Sequence, residues 1–260
     1  GGRDLRYAEP KGYTGFELAA AWRIENPALF GRYAAEADRL RETLRRIRES
    51  GVAVPRVGVR EAFEAATRQL PAQLDRDLNE VWLLHATSPE NILQIAHTGF
   101  NERLSSRGLF GRGIYFAEDI GKADQYSTPD RDRKVARDGE EDGLHDLHQL
   151  LYPAGDHPKD VFYVYVCRVM LGAFARTADG THYLSDNGGA RPLWRGGGSA
   201  GDSRELSDIP GAAPREPFHA LVAELGGCLA RYREFVSFHG GTRAYPEYLV
   251  AYRRMWPRLP

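Results

Sequence analysis

Apolar and small residues recur at every second position through Phe16, Leu18, Ala20, Trp22 and Ile24. A period of two puts them on one face and predicts a half-buried strand over 16–24. The period then changes. Leu29, Tyr33, Ala37, Leu40, Leu44 and Ile47 are three or four apart, the spacing of one helical stripe. Asn26 is an N-cap type, Pro27 suits the first helical position and Gly51 can end a helix, so a long helix is predicted to about Ser50. Residues 52–58 are proline-broken, and a weaker helix is expected over roughly 60–70. VWLLH (81–85) is a short apolar strand. Ser88 and Pro89 open a helix that Gly99 closes, and a loop from Asn101 to Arg112 leads into the strand GIYFA (113–117).

The second half reads differently. Residues 128–143 mix charges of both signs, and nearly all of this surface insertion is expected to be solvated. VFYVYVCRVML (161–171) is β-branched and aromatic, as a central strand should be. Residues 186–214 are rich in Gly, Pro and Ser and predict a long mobile loop. YREFVSFH (232–239) and EYLVAYRR (247–254) are two further strands. Helices early and strands late predict an α+β fold. No repeat or linker divides the chain. The first 75 residues are too few in elements for their own core. One domain is expected, with 1–78 as a strand–helix extension packed on a core at 79–254.

Composition narrows the function classes. The chain has 260 residues, 42% hydrophobic and 27% charged, which can bury a core without staples. A net charge of -1 argues against a whole-domain footprint for nucleic acid. The two cysteines, Cys167 and Cys228, have neither zinc-ligand nor disulfide-framework spacing, and a reducing compartment fits. No run approaches a membrane span and no signal-peptide pattern opens the chain, so no membrane partner is expected. The oligomeric state is left open.

Common catalytic motifs are missing. GLFGRG (108–113) has its glycines in the wrong order for a dinucleotide fingerprint and leads into a strand, and a Walker loop, HExxH and GxSxG are absent. His145, His148 and His157 share a stretch with Asp146. Such a cluster in a polar loop is more often surface than ligand set, and no metal is expected. What remains is a few unusual placements. His85 ends an apolar strand before a helix, where ligands are often met, although a lone histidine there is more often structural. Tyr115 lies in an otherwise apolar strand and alone reads as core. Glu234 sits among Tyr232, Phe235, Val236 and Phe238. A carboxylate there is costly unless partnered or used, the alternative being the outward face of an edge strand. Tyr115 and Tyr126 pose the same choice as a pair: two core aromatics, or a slot for a flat ring.

Together these residues have a family likeness. HATSPENILQIAHTGFNERLSSRGLFGRGIYFAEDIGKADQYS (85–127) resembles the core of poly(ADP-ribose) polymerase catalytic domains, the diphtheria-toxin-like branch of ADP-ribosyltransferases. GFNER, LFGRGIYFAE and AYPEYLVAYRR are similar to the tankyrase type, and WRIENPALFGRY looks like the opening strand and helix of such domains. The likeness spans about residues 14–254 and is weaker at 52–75, 128–160 and 180–214. It implies the ADP-ribosyltransferase fold, mainly antiparallel sheets with flanking helices, and a His-Tyr-Glu triad at His85, Tyr115 and Glu234.

The same resemblance implies NAD+ as substrate and no metal. Nicotinamide would lie over Tyr126 with Tyr115 on its other side; a cationic aromatic ring gains stacking and cation–π attraction there. His85 would bond a ribose hydroxyl and the backbone of Ala86 would clasp the carboxamide. Thr87, Ser88, Asn101, Gly113 and Ala123 would complete the contacts, under the loop from Asn101 to Arg112. Glu234 would accept a hydrogen bond from the ribose 2′-hydroxyl and steady the positive sugar as nicotinamide leaves. The implied reaction is pentosyl transfer from NAD+ to a protein acceptor, the chain itself included, as single units or polymer. Cytoplasm or nucleus is the implied location.

Two positions depart from the family pattern. Ala86 stands where the family usually has glycine, and Ala123 where it usually has serine. One neutral hydrogen bond is worth about 1 kcal/mol, so weaker NAD+ binding is expected. The tankyrase-type zinc motif is absent from the cysteine-free insertion, and from the short N-terminal segment no autoinhibitory helical domain is expected. The departures keep open a catalytically impaired module that binds NAD or ADP-ribose, and plain NAD hydrolysis.

Overall fold

Two four-stranded sheets face one another across a shared core, and the long helix lies outside it. A computed structural model of the chain describes residues 12–133, 143–185, 189–197 and 203–257. The elements run β1 (Gly15–Arg23), α1 (Pro27–Glu49), α2 (Glu61–Thr67), β2 (Glu80–Ala86), α3 (Ile92–Thr98), β3 (Ile114–Phe116), α4 (Ile120–Ala123), α5 (Gly143–Leu151) and β4 (Phe162–Met170). Then come β5 (Phe174–Thr177), β6 (His182–Leu184), β7 (Ala190–Pro192), β8 (Ala220–Ala223), β9 (Glu234–Ser237), α6 (Gly240–Arg243) and β10 (Ala244–Met255). The first sheet has the order β1-β10-β4-β2 and the second β3-β9-β8-β5; β6 and β7 form a small separate pair. Every pairing is antiparallel except β5 with β8. This is the expected α+β arrangement of helices around mainly antiparallel sheets.

The core explains why these residues form these strands. Leu83 of β2, Tyr163 and Tyr165 of β4 and Ala251 of β10 meet Phe116 of β3, Val222 of β8 and Phe235 of β9 in one cluster. β4 is flanked on both sides, so its run of Val, Tyr and Phe is buried nearly throughout. α1 lays its stripe of Leu29, Tyr33, Leu40, Leu44 and Ile47 on a second cluster with Met170 and Tyr245. The Asn26 side chain accepts from the Leu29 N–H at 3.1 Å, and Gly51 follows the helix at φ +84°, a left-handed stop suited to glycine.

Three expectations are corrected. The residues from Phe16 to Trp22 do not share a face. A bulge between Leu18 and Ala20 shifts the register against β10 and switches which side the following residues occupy. Phe16 therefore packs on Tyr252 at 5.4 Å, Trp22 on Tyr152 at 5.5 Å in the main core, and Leu18 is 67% exposed. The helix expected from Ser88 begins as a tight turn at Pro89–Asn91 and becomes α-helical only at Ile92. Within 186–214 the described residues are not a bare loop, because Leu193, Trp194, Leu206 and Ile209 are buried and β7 pairs with β6; 186–188 and 198–202 lie outside the described residues. In the charged insertion the described residues 128–133 are exposed, as expected, except Asp130, which is 3% exposed where it meets buried histidines; 134–142 lie outside the described residues.

Candidate active site

The short strand β3 holds the site together because it changes partner. Ile114, Tyr115 and Phe116 pair with Ser237, Val236 and Phe235 of β9. The next residue, Ala117, leaves β9 and exchanges both backbone hydrogen bonds with Leu84 of β2, at 2.7 and 2.9 Å. Three elements are thus stitched at one point, bringing His85 from β2, Tyr115 from β3 and Glu234 from β9 to one cavity of about 630 Å³. That volume is within the usual range for ligand sites.

His85 is fixed as a neutral acceptor. Its Nδ1 lies 2.8 Å from the Tyr115 carbonyl oxygen. A carbonyl can only accept, so Nδ1 carries the proton and Nε2 keeps its lone pair. Burial holds its pKa below the usual 6.5, against the raising influence of that bond. Phe100 and Phe116 pack around the ring at 4.9 and 5.6 Å.

Tyr115 ties the covering loop to the strand. Its hydroxyl donates to the Gly111 carbonyl at 2.8 Å and accepts from the Phe110 N–H at 2.9 Å. A Cβ on Gly108 would stand 2.2 Å from that hydroxyl, and one on Gly113 would stand 2.5 Å from Val236 Cγ1. The glycines of LFGRG and its neighbour therefore serve close approach. Burial pushes the Tyr115 hydroxyl pKa up, so it stays protonated.

Glu234 is 5% exposed and lies on an interior strand, not on the outward face of an edge. Its Oε1 is 2.5 Å from Lys122 Nζ, and Lys122 is itself 3% exposed. Either charge alone would be expensive to bury; the pair makes both tolerable. Asp119 places the lysine by accepting the Gly121 N–H at 2.8 Å as cap of α4. The Lys122 ammonium also stands 5.5 Å from the centre of the Tyr126 ring, which is 43% exposed and lines the cavity.

Of the residues anticipated from sequence, His85, Ala86, Thr87, Asn101, Gly113, Tyr115, Ala123, Tyr126 and Glu234 line this cavity. Ser88 does not. It sits at the start of the turn, where its hydroxyl accepts from Asn91 Nδ2 at 3.2 Å. Ala86 and Ala123 pack in one small apolar cluster with Leu84 and Val164, so this wall carries methyl groups. Sequence reasoning missed Lys122. Its one signal is a spacing of four before Tyr126 on a segment opened by Asp119. Arg107, Cys228 and Leu229 also line the cavity unannounced.

The histidine stretch, expected to be surface, contributes His148 and His157 to a buried cluster. Its carboxylate is Asp130, whereas Asp146 is exposed and His145 lies outside the group. Asp130 Oδ2 is 2.7 Å from His148 Nε2, 3.2 Å from His157 Nε2 and 2.9 Å from the Tyr163 hydroxyl. The atoms fit a hydrogen-bonded network better than a metal. Ligands on a tetrahedral zinc with bonds of about 2.0–2.2 Å stand roughly 3.3 Å apart, wider than the His148 contact. His157 Nδ1 already accepts the Lys159 N–H at 3.2 Å, which puts the ring proton on the nitrogen a metal would need. Burial alone would raise the Asp130 pKa, but the bonds from His148 and Tyr163, with His157 close by at 3.2 Å, bring it below the usual carboxylate value.

A comparison with known protein families matches residues 11–254 to the poly(ADP-ribose) polymerase catalytic domain. The chain belongs to that family. Poly(ADP-ribose) polymerase domains are ADP-ribosyltransferases that use NAD+ as substrate. The match covers both sheets, α1 and every element that lines the cavity. Among the described residues no helix is long and apolar enough to cross a membrane.

Proposed function

We propose that this polymerase-family domain is an active transferase that cleaves the nicotinamide–ribose bond of NAD+ and attaches ADP-ribose to a protein. The observation that carries the reading is Glu234: a carboxylate buried on an interior strand, oriented by Lys122, in a cavity shared with His85, Tyr115 and Tyr126.

The chemistry follows from the groups present. The bond between the pyridinium nitrogen and the sugar breaks with both electrons going to nitrogen, so nicotinamide leaves neutral and needs no general acid. Positive charge develops on the ribose, and a carboxylate bonded to the 2′-hydroxyl stabilises it. Lys122 holds one oxygen of Glu234 and so aims the other. His85 offers Nε2 as an acceptor to a ribose hydroxyl. The Tyr126 and Tyr115 faces suit a cationic ring. The acceptor atom then attacks the sugar carbon from the side opposite the departing nicotinamide, and an acceptor hydroxyl gives its proton to the Glu234 carboxylate, from which solvent takes it.

Incubation with labelled NAD+ and gel separation tests this. Label on protein with nicotinamide release supports transfer. A ladder identifies polymer and a single band identifies mono-ADP-ribosylation. Nicotinamide release without label identifies hydrolysis. Binding of NAD+ without release favours the impaired module, which the methyl-lined wall at Ala86 and Ala123 motivates.

A further inference from the structure

Glu234 opens β9, and on its N-terminal side the strand has lost its β3 neighbour, because Ala117 has turned away to β2. Something else must fix the chain where the carboxylate begins. The next residue on each side supplies it. Arg233 donates from Nε to Glu118 Oε1 and from Nη2 to Glu118 Oε2, both at 2.7 Å. Glu118 is 3% exposed. Its Oε2 also accepts the Arg60 N–H at 2.7 Å, while Arg233 Nη2 donates to the Gly58 carbonyl at 2.7 Å. The Arg233 guanidinium stands 5.3 Å from the centre of the Phe235 ring, and its Nη1 lies 3.7 Å from Glu224, next to the residue that pairs with Glu234.

We infer that the Glu118–Arg233 fork positions the Glu234 carboxylate for the reaction. The inference rests on the transferase reading above. The fork closes the gap left where β3 and β9 part, and does so with two parallel hydrogen bonds that fix direction as well as distance. Its neighbour Asp119 caps the helix that carries Lys122, so the adjacent pair Glu118–Asp119 sets both members of the Lys122–Glu234 ion pair. Neither Glu118 nor Arg233 lines the cavity. Both act through Glu234 and are positioning residues.

A structural role alone would weaken folding and NAD+ binding together; positioning should separate binding from turnover. The test compares wild type with Arg233→Lys, Arg233→Met and Glu118→Gln. It measures kcat for nicotinamide release and affinity for carba-NAD, a dinucleotide that cannot be cleaved. Misplacement of a reacting group by about 1 Å can cost on the order of a hundredfold. The expected result is a kcat lowered about tenfold or more in Arg233→Met and less in Arg233→Lys, with carba-NAD affinity within about twofold of wild type. Wild-type kcat in the variants, or a parallel loss of kcat and affinity, overturns the inference. If Arg233→Met does not fold, Arg233→Lys and Glu118→Gln decide by the same criterion. A wild-type protein that binds carba-NAD but releases no nicotinamide overturns the transferase reading itself, and this role with it.

Discussion

Lys122 and Glu234 show how one residue's place depends on another far away in sequence. Their 2.5 Å contact joins α4 to β9. Removing one partner of a buried pair typically costs about 3–5 kcal/mol. Lys122→Met is therefore expected to lose on the order of 3 kcal/mol in urea unfolding, and Lys122→Arg clearly less. Glu234 was legible because a carboxylate among aromatics asks for a reason. Lys122 was not, since a lysine in GKAD reads as an exposed helix position until β9 is laid over it. His85 leads to a second outcome at this scale. Burial depresses its pKa, so it stays neutral, with Nε2 an acceptor, at and somewhat below pH 6.5. In a kcat/KM profile its acid limb is expected below pH 6.5; a limb above that value contradicts the assignment.

At the scale of elements, the strands that build the site are short and tolerate little added bulk. A methyl at Gly113 would meet Val236 Cγ1 at 2.5 Å and the Ser237 carbonyl at 2.8 Å, prising β3 from β9. Gly113→Ala is expected to cost about 1–3 kcal/mol, as overpacking does, and to lower nicotinamide release with it. Asn26→Ala is the contrasting case: it removes the cap bond on α1 and the two bonds from Asn26 Nδ2 to the Ala96 and His97 carbonyls of α3, all at residues outside the cavity. It should cost about 2 kcal/mol and leave kcat unchanged. Most elements could be read from periodicity, since α1, β2, β4 and β10 each bury a long regular pattern. The β1 bulge could not, because an alternating string looks the same whether or not one residue is skipped against its partner. The buried Leu193, Trp194, Leu206 and Ile209 were hidden in a Gly- and Ser-rich composition that local propensity reads as loop.

For the molecule as a whole, buried titratable groups set the response to acid. His85, His157, His219 and His239 all have pKa values depressed below 6.5, burial being the largest cause. The unfolded chain therefore takes up protons below pH 6.5 that the folded chain resists, and stability falls as pH drops through that range. Asp130, depressed below 3.8 by its bonded neighbours, adds stability that is present above that value and lost under stronger acid. Thermal denaturation between pH 5 and 8 should give a flat midpoint above about 7 and a falling one below 6.5; a midpoint that rises on acidification contradicts this. The family was legible at this scale because several blocks stand in order across most of the chain, and the match over residues 11–254 agrees. The central claim is narrower: Glu234 steadies the sugar of NAD+ as nicotinamide departs. Single-turnover nicotinamide release by wild type and Glu234→Gln measures it most directly. The expected result is release by wild type and a loss of about a hundredfold or more in the variant, with carba-NAD binding retained. Equal rates in the two proteins would contradict it.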